Sequence, residues 1–272
     1  MSKSGQLFLF RPNNHKALWG NESWEVSVHR AGESVVADGP FAGKKLSEML
    51  SGFPLLVKVI DTNLRLSVQV HPSERTCRIT GGEPKTEMWC MLNDGCIYAG
   101  LKPGVGPAEV EAAVASGRFE ELLVHHEAKA GDVFFIPGGL IHAIGENTRL
   151  YEVQQSSDTT FRLYDWDRVG ADGKKRTLHV RQALEATDYS LRPPSALDAV
   201  ACPFFRFDKV ELNGREEIAT DGGFCVLYAA RGGFTLDGRK IAEGQSVLAA
   251  DCSSLSIEGE NALVFLTRKG IA

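Results

Sequence analysis

The 272-residue sequence predicts an all-β fold, a barrel or sandwich, with a few short decorating helices. Short apolar runs recur along the whole chain, and 28 glycines supply turns that would join them as strands. Several of these runs are continuously apolar rather than alternating. That pattern is expected where a sheet packs against another layer of structure.

The strand pattern is found in both halves of the sequence, and it is stronger than the helical pattern. The predicted strands cover 24–28, 55–59, 66–70, 95–99, 133–136, 150–153, 204–210, 224–229, 246–249 and 262–267. The predicted helices cover 46–50, 107–123 and 178–186. Pro107 stands where a first-turn proline is tolerated, and Gly117 is expected to split that helix.

The order of these segments predicts two domains. The stretch 190–203 is typical of a linker, so we expect a first domain over 1–189 and a smaller β-barrel-like domain over 204–272. A short internal sequence similarity supports this division, since the segments 130–136 and 243–249 each place a glycine turn before a predicted buried strand. The second copy lacks the proline and histidine that follow the first, which predicts a degenerate copy without a metal.

Composition and charge exclude several classes of function. A net charge of −5 argues against a nucleic-acid surface, although a local cationic pocket for an anionic substrate remains possible. Residues 1–14 hold too short an apolar core for a signal peptide, and no run approaches the roughly 18 apolar residues of a membrane span. We therefore expect a soluble cytoplasmic protein, a monomer or homodimer, with neither nucleic acid nor membrane as partner.

The six cysteines form no CxxC pair, which favours free buried thiols over a disulfide framework or a thiolate metal site. Any metal ligands should therefore be nitrogen and oxygen atoms.

The sharpest local motif ends at His142. A glycine turn at Gly131, an apolar run and the bend Pro137-Gly138-Gly139 precede this histidine in the spacing G-x5-P-x-G-x2-H. The spacing resembles the second motif of cupin barrels and places His142 on the next strand, aimed into the barrel. A lone histidine is more often a core polar group, but the complete motif favours a metal ligand.

Two further motifs lie upstream. Gln69 and His71 are two positions apart on a predicted strand, so their side chains share one face. Lys85 and Glu87 follow in a K-x-E pattern, which on its own would indicate a surface ion pair. With His142, these residues offer two imidazoles, one carboxylate and one amide oxygen, a set that zinc accepts and that manganese or iron could also use.

The order and spacing of these motifs resemble the type I mannose-6-phosphate isomerases in their short bacterial form. The match covers roughly 17–185, and its most diagnostic block runs from Gln154 to Arg168. The other matching segments are 54–58, 66–72, 85–89 and 137–145. The chain lacks the inserted helical domain of the larger members.

The resemblance implies a cupin-type jelly-roll barrel that holds one zinc ion, or another divalent metal, through Gln69, His71, Glu87 and His142. It implies interconversion of mannose 6-phosphate and fructose 6-phosphate through a metal-stabilised cis-enediol. The implied pocket residues are Lys85, Glu152 and Arg162. Glu152 is the first candidate for the proton-shuttling base, ahead of a metal-bound water or His29. Arg162 and Lys85 are candidates for contacts to the phosphate or to a developing oxyanion.

Several alternatives stay open from the sequence. A non-catalytic cupin that binds a sugar or sugar phosphate would carry the same metal set, and a cupin oxygenase usually has more histidines in the first motif. Arg162 could instead pair with Asp158 or Asp165. The 165–168 run is expected to form a structural corner, and His125 and His126 a solvated turn at the end of the predicted helix.

Overall fold

The computed structural model describes residues 6–170, 173–220 and 223–271, so the first five residues of the segment examined for a signal peptide lie outside it. Strands dominate and the helices are short, which confirms the predicted all-β class with helical decoration. The strands are β1 Gln6–Leu9, β2 Asn14–Ala17, β3 Gly20–Val26, β4 Leu55–Thr62, β5 Val68–Val70, β6 Glu87–Met91, β7 Gly95–Leu101, β8 Leu123–Ala128, β9 Val133–Ile136, β10 His142–Ile144, β11 Arg149–Gln155, β12 Phe161–Tyr164, β13 Val200–Ala201, β14 Phe205–Ala219, β15 Phe224–Arg231, β16 Phe234–Leu236, β17 Arg239–Ile241, β18 Ser246–Ala250 and β19 Ser254–Lys269. The α-helices are α1 Leu46–Met49, α2 Cys77–Thr80, α3 Pro107–Ser116 and α4 Val180–Ala186, with 3-10 turns at Gly39–Phe41 and Phe119–Leu122.

The described chain forms two compact units. The site unit comprises Asn14–Ser23 and Lys58–Leu197, and the second unit comprises the described parts of Met1–Asn13, Trp24–Val57 and Asp198–Ala272. This division differs from the sequence-based boundaries, because residues 6–13 and 24–57 cluster with the C-terminal segment and not with the remainder of 1–189. Within the predicted linker, Val200–Ala201 also forms a strand, paired with Phe207 and Arg206 of β14.

The site unit contains a five-stranded sheet in the order β12-β5-β10-β7-β8. A six-stranded sheet in the order β2-β3-β4-β11-β6-β9 accompanies it, and the unit boundaries fall within β3 and β4. Apolar side chains from both sheets form one buried core, with Trp89, Phe134 and Leu150 from the larger sheet and Ile97 and Ile144 from the smaller. The outer face of the five-stranded sheet packs against α3 and α4.

The two-residue period of the strands decides which side chains face inward. Val68 and Val70 of β5 pack with the helices on the outer face, so Gln69 between them projects to the inner face. Ala143 of β10 and Leu163 of β12 also belong to the helix-facing core. The alternation therefore places His142 and Arg162 on the inner face with Gln69.

The second unit is built on an eight-stranded sheet whose main path runs β1-β18-β15-β19-β14-β13. Its longest pairing joins β14 to β19, and a buried apolar cluster that includes Leu227, Val247 and Val264 forms its core. Gly131 and Gly244 both adopt positive φ values, +91° and +79°, two positions before the first residues of β9 and β18. The glycine turns read from the two similar sequences are therefore present.

One local prediction was wrong. His125 and His126 lie within strand β8, not in a turn at the end of a helix. The helix ends at Ser116, and the C-cap Gly117 has φ +70°, as expected for a glycine stop. The sequence after the 3-10 turn then pairs with β7, and His126 hydrogen-bonds through Nε2 to the carbonyl oxygen of Ala99 (3.1 Å).

Replacing Gly138 by alanine is expected to destabilise the site unit by about 1–3 kcal/mol, because the bend has no room for a side chain. A Cβ at this position would lie 2.8 Å from both the Pro72 carbonyl oxygen and Ser73 Cα, which are backbone atoms next to His71. Urea denaturation measures the effect. An unchanged denaturation midpoint would show that the bend at Gly138 can move away from the Pro72–Ser73 backbone without loss of stability.

Candidate active site

The strand register brings the predicted site residues together. His142 of β10 is the antiparallel partner of Gln69 in β5, and Arg162 of β12 is paired with Gln69 on its other side. On the opposing sheet, β6 carries Glu87 and pairs with β11, in which Glu152 stands opposite Trp89. Residues far apart in sequence therefore meet on the facing surfaces of two sheets.

His71, Glu87 and His142 form one tight buried cluster. Their ligand atoms all lie within 4.8 Å of one another, and each residue is only 1% exposed. His71 Nε2 lies 3.4 Å from Glu87 Oε2, and His142 Nε2 lies 3.4 Å from Glu87 Oε1. The Gln69 amide nitrogen lies 3.4 Å from His142 Nε2, so a half-turn of the amide would present its oxygen to the same point. The four residues proposed from the motifs therefore converge.

Hydrogen bonds on the far side of each imidazole determine which nitrogen faces the cluster. His71 Nδ1 donates to the carbonyl oxygen of Thr159 (2.8 Å), and His142 Nδ1 donates to that of Leu140 (2.9 Å). Each Nε2 therefore presents a lone pair to Glu87, the tautomer a metal-binding histidine needs. Burial and the nearby Lys85 lower the pKa of His71 to about 3, and burial also lowers the pKa of His142, so both rings are neutral.

Glu87 is a buried carboxylate that the protein leaves open for a ligand. Burial alone would favour its neutral form, but the charge of Lys85 holds its pKa well below the ordinary value. Neither of its oxygens accepts a hydrogen bond from a described residue, although Lys85 Nζ lies 3.2 Å from Oε2 and from His71 Nε2. Buried anionic oxygens without donors are costly, and a cation would compensate them.

This donor set fits a divalent metal ion. A tetrahedral zinc ion about 2.0–2.1 Å from its ligands holds neighbouring ligand atoms about 3.3–3.4 Å apart. The observed separations of 3.4 Å between imidazole nitrogens and carboxylate oxygens agree with that spacing. In the part of the chain that the structure describes, this is the only such group of three histidine, cysteine or acidic side chains.

A cavity of about 370 Å³ lies beside the cluster, and Gln69 and Lys85 form part of its wall. Its size lies within the roughly 300–1,000 Å³ typical of small-molecule sites. The charged residues of its wall are Glu22, Lys58, Lys85, Glu152, Asp158, Arg162 and Arg176. These four cations and three carboxylates give a local positive balance on a chain of net charge −5.

Arg162 is held so that its guanidinium reaches the cavity. Its Nε donates to Ser67 Oγ (3.2 Å) and its Nη1 to the Thr177 carbonyl oxygen (2.8 Å). Among the described residues it pairs with no carboxylate, because Asp165 is held by Arg168 and Arg176. Burial and the nearby Arg176 lower the pKa of Arg162. The ion pair weighed as its alternative role is thus absent from the described chain.

Glu152 lies at the cavity wall and is 3% exposed. The Trp89 indole nitrogen donates to its Oε2 (2.9 Å), and Lys58 Nζ lies 3.6 Å from its Oε1. Burial and the charge of Glu87 raise the pKa of Glu152 to about 7, against the opposing effect of Lys58 and Lys85. A carboxyl group that titrates near neutrality is suited to both accepting and returning a proton.

Three further charged residues line the cavity and were not predicted from the sequence, Glu22, Lys58 and Arg176. Lys58 Nζ forms an ion pair with Glu22 Oε2 (2.9 Å), and both residues face the cavity. A signal for Lys58 was present, since a lysine interrupts the apolar run of β4. Arg176 ends a run of three basic residues, a pattern that usually indicates a solvated surface.

The remaining predictions concern residues outside the cluster. Asp165 accepts from Arg168 and Arg176, and the Trp166 indole donates to the Leu66 carbonyl oxygen, so this run is the expected structural corner. His29 is not one of the residues that line the cavity. All six cysteines are free thiols, four of them buried. None of the helices in the described residues has the length and apolar character of a membrane span.

Comparison with known proteins places this site in a family. The chain is 34% identical over 270 residues to a mannose-6-phosphate isomerase of Streptococcus mutans, covering 83% of this chain and 85% of that protein. It is 33% identical over 280 residues to a mannose-6-phosphate isomerase of Bacillus subtilis, covering 86% and 87%. A crystal structure of the mannose 6-phosphate isomerase from Bacillus subtilis superposes with a TM-score of 0.85 at 26% identity, covering 98% of this chain and all of that one.

No family model matches the chain. The two relatives nevertheless exceed 30% identity over most of their own length, and the structural match extends over both units. This chain is a member of the mannose-6-phosphate isomerase family.

Proposed function

We propose that the protein is a zinc-dependent isomerase that interconverts mannose 6-phosphate and fructose 6-phosphate. The observation that carries this proposal is the buried cluster of His71, Glu87 and His142 beside a cavity whose wall includes the buried carboxyl group of Glu152. The metal ligands are Gln69, His71, Glu87 and His142. A divalent cation at this position supplies a Lewis acid that stabilises negative charge on the sugar oxygens.

The reaction moves a carbonyl group between C1 and C2 of the open-chain sugar. In the direction of the ketose, a base removes the proton from C2 and returns it to C1, while a hydroxyl proton passes from O2 to O1. Glu152 is the proposed base, because Oε1 accepts no hydrogen bond from the described residues whereas Oε2 is held by Trp89. Oε1 is therefore the oxygen available to accept the C2 proton.

The cations of the cavity have separate roles in this proposal. Arg162 binds the phosphate, since its planar fork suits a phosphate group and Nη2 has no partner among the described residues. Lys85 keeps Glu87 ionised and stands where it can also meet the substrate oxygens. The free thiols agree with a cytoplasmic setting, which is part of the same proposal.

The direct test is ketose formation from mannose 6-phosphate by metal-replete protein, measured with and without a chelator. We expect turnover that the chelator removes and added zinc restores. Elemental analysis of the purified protein should give one zinc per chain. A metal-replete sample without turnover would leave a non-catalytic sugar-phosphate-binding protein as the better interpretation.

Replacing Arg162 by methionine should raise KM for mannose 6-phosphate with a smaller effect on kcat. Hydrogen bonds to charged groups contribute about 1.5–3 kcal/mol, so kcat/KM should fall about ten- to a hundredfold. Steady-state kinetics on this variant and on Arg181→Met, whose side chain is 87% exposed, separate the effect from a general loss of charge. A fall in kcat at unchanged KM would assign Arg162 to the transition state instead of to the phosphate.

A further inference from the structure

Lys58 is a cation within the buried part of strand β4, where its neighbours along the chain are apolar. Every residue from Leu55 to Ile60 of β4 is buried, and Lys58 is 3% exposed. Lysine is almost never fully buried without a charged partner, because the desolvation of its ammonium costs several kcal/mol. Here two carboxylates supply that compensation, Glu22 at 2.9 Å and Glu152 at 3.6 Å.

The two carboxylate oxygens of Glu152 have different contacts. Oε2 accepts a hydrogen bond from the Trp89 indole, which fixes the plane of the carboxylate. Oε1 faces the Lys58 ammonium at 3.6 Å and accepts no hydrogen bond from a described residue. Lys58 therefore attracts this oxygen without donating a hydrogen bond to it, and the same ammonium also pairs with Glu22 Oε2 at 2.9 Å.

We propose that Lys58 is a positioning residue for the reaction: shared between Glu22 and Glu152, its ammonium orients Oε1 of Glu152 and sets the charge of that carboxyl group. The inference rests on the proposed function, since it assigns a role relative to the base of that reaction. Neither Lys58 nor Glu22 is required to touch the reacting carbon atoms.

The charged groups that act on Glu152 lie on β3, on β4, on β6 and on the segment that leads into β6. They are Lys58 on β4, Glu22 on β3, Glu87 on β6 and Lys85 directly before β6. A nearby cation favours the ionised carboxylate and a nearby carboxylate disfavours it. Loss of Lys58 should therefore raise the pH at which Glu152 becomes active, and loss of the Glu22 charge should lower it.

The test compares Lys58→Met and Glu22→Gln with the wild-type protein, using kcat/KM for mannose 6-phosphate as a function of pH. In Lys58→Met the acid limb should move upward by about one pH unit or more, with activity partly restored at high pH. In Glu22→Gln the limb should move downward by about half a unit. Lys129→Met removes a comparable ion pair with Asp94 on the exposed surface and should leave the profile unchanged.

Opposite displacements in the two variants, with wild-type metal content and thermal unfolding, support the positioning role. Displacements of the same sign, or an acid limb that moves in neither variant, overturn it. If Lys58→Met does not fold, the downward displacement in Glu22→Gln decides the question alone. Wild-type protein without turnover would refute the proposed function itself, which is a different result from active variants with unmoved profiles.

Discussion

Glu87→Ala is expected to lose its metal and to reduce isomerase turnover about a thousandfold or more. Glu87 is the only carboxylate in the cluster, and both of its oxygens lie 3.4 Å from an imidazole Nε2. Without it, two neutral imidazoles and an amide oxygen remain to hold a dication. Lewis-acid stabilisation contributes several kcal/mol to such reactions, and each 1.36 kcal/mol corresponds to a factor of ten in rate.

The measurement combines elemental analysis of the purified variant with steady-state kinetics. Because Glu87→Ala leaves Lys85 buried without its nearest carboxylate, His142→Ala is a second probe that removes a ligand without removing a charge. We expect metal loss in both and circular dichroism spectra close to wild type. Glu127→Ala, at a side chain 82% exposed, serves as the control. Full metal occupancy and near-normal turnover in Glu87→Ala would rule out this cluster as the metal centre.

Sequence spacing was sufficient to predict the cluster because strand geometry is regular. Gln69 and His71 share a face through the two-residue period, and the complete motif around His142 fixes a turn and a strand together. What the sequence could not supply is the register between strands. The pairing of His142 with Gln69, and of Glu152 with Trp89, is determined by packing across the sheets and by connecting turns.

The missed residues show a second limit. Lys58 and Arg176 are polar residues whose burial or exposure depends on partners remote in sequence, and no local pattern specifies those partners. Glu22 lies 36 positions before Lys58, yet the two form the 2.9 Å pair at the cavity wall. The lysine within an apolar strand was nevertheless a usable signal, because such a residue needs a buried counter-charge.

In the eight-stranded sheet of the second unit, β14, β15, β18 and β19 were predicted in position, whereas β1, β13, β16 and β17 were not predicted. The predicted strand at 204–210 corresponds to β14, which continues to Ala219. The predicted strand at 262–267 corresponds to β19, which already begins at Ser254. The outer portion of β14 carries consecutive charged residues, Arg215-Glu216-Glu217, and such a stretch resembles a turn when read alone. Pairing between the two strands stabilises the extension, since each supplies the hydrogen bonds the other needs.

Glu152→Gln is expected to lower kcat by about a hundred- to ten-thousandfold, the range for loss of a general base. Glutamine keeps the shape of the side chain and can still accept from the Trp89 indole, but it cannot take up a proton. The variant should therefore retain its metal and its KM for mannose 6-phosphate. Glu146→Gln, at an exposed position, should behave as wild type.

The proposed role of Glu152 also predicts the direction in which activity changes with pH. Glu152 must be ionised to remove the C2 proton, so activity should rise with pH through the pKa of this group. Burial and Glu87 raise that pKa to about 7, and a cation bound beside Glu87 would offset part of the rise. The wild-type kcat/KM is thus expected to show an acid limb at or below about pH 7 that is absent from the residual activity of Glu152→Gln. If that limb persists unchanged in the variant, the base is another group, and the carboxylate held between Trp89 and Lys58 serves the structure of the cavity instead.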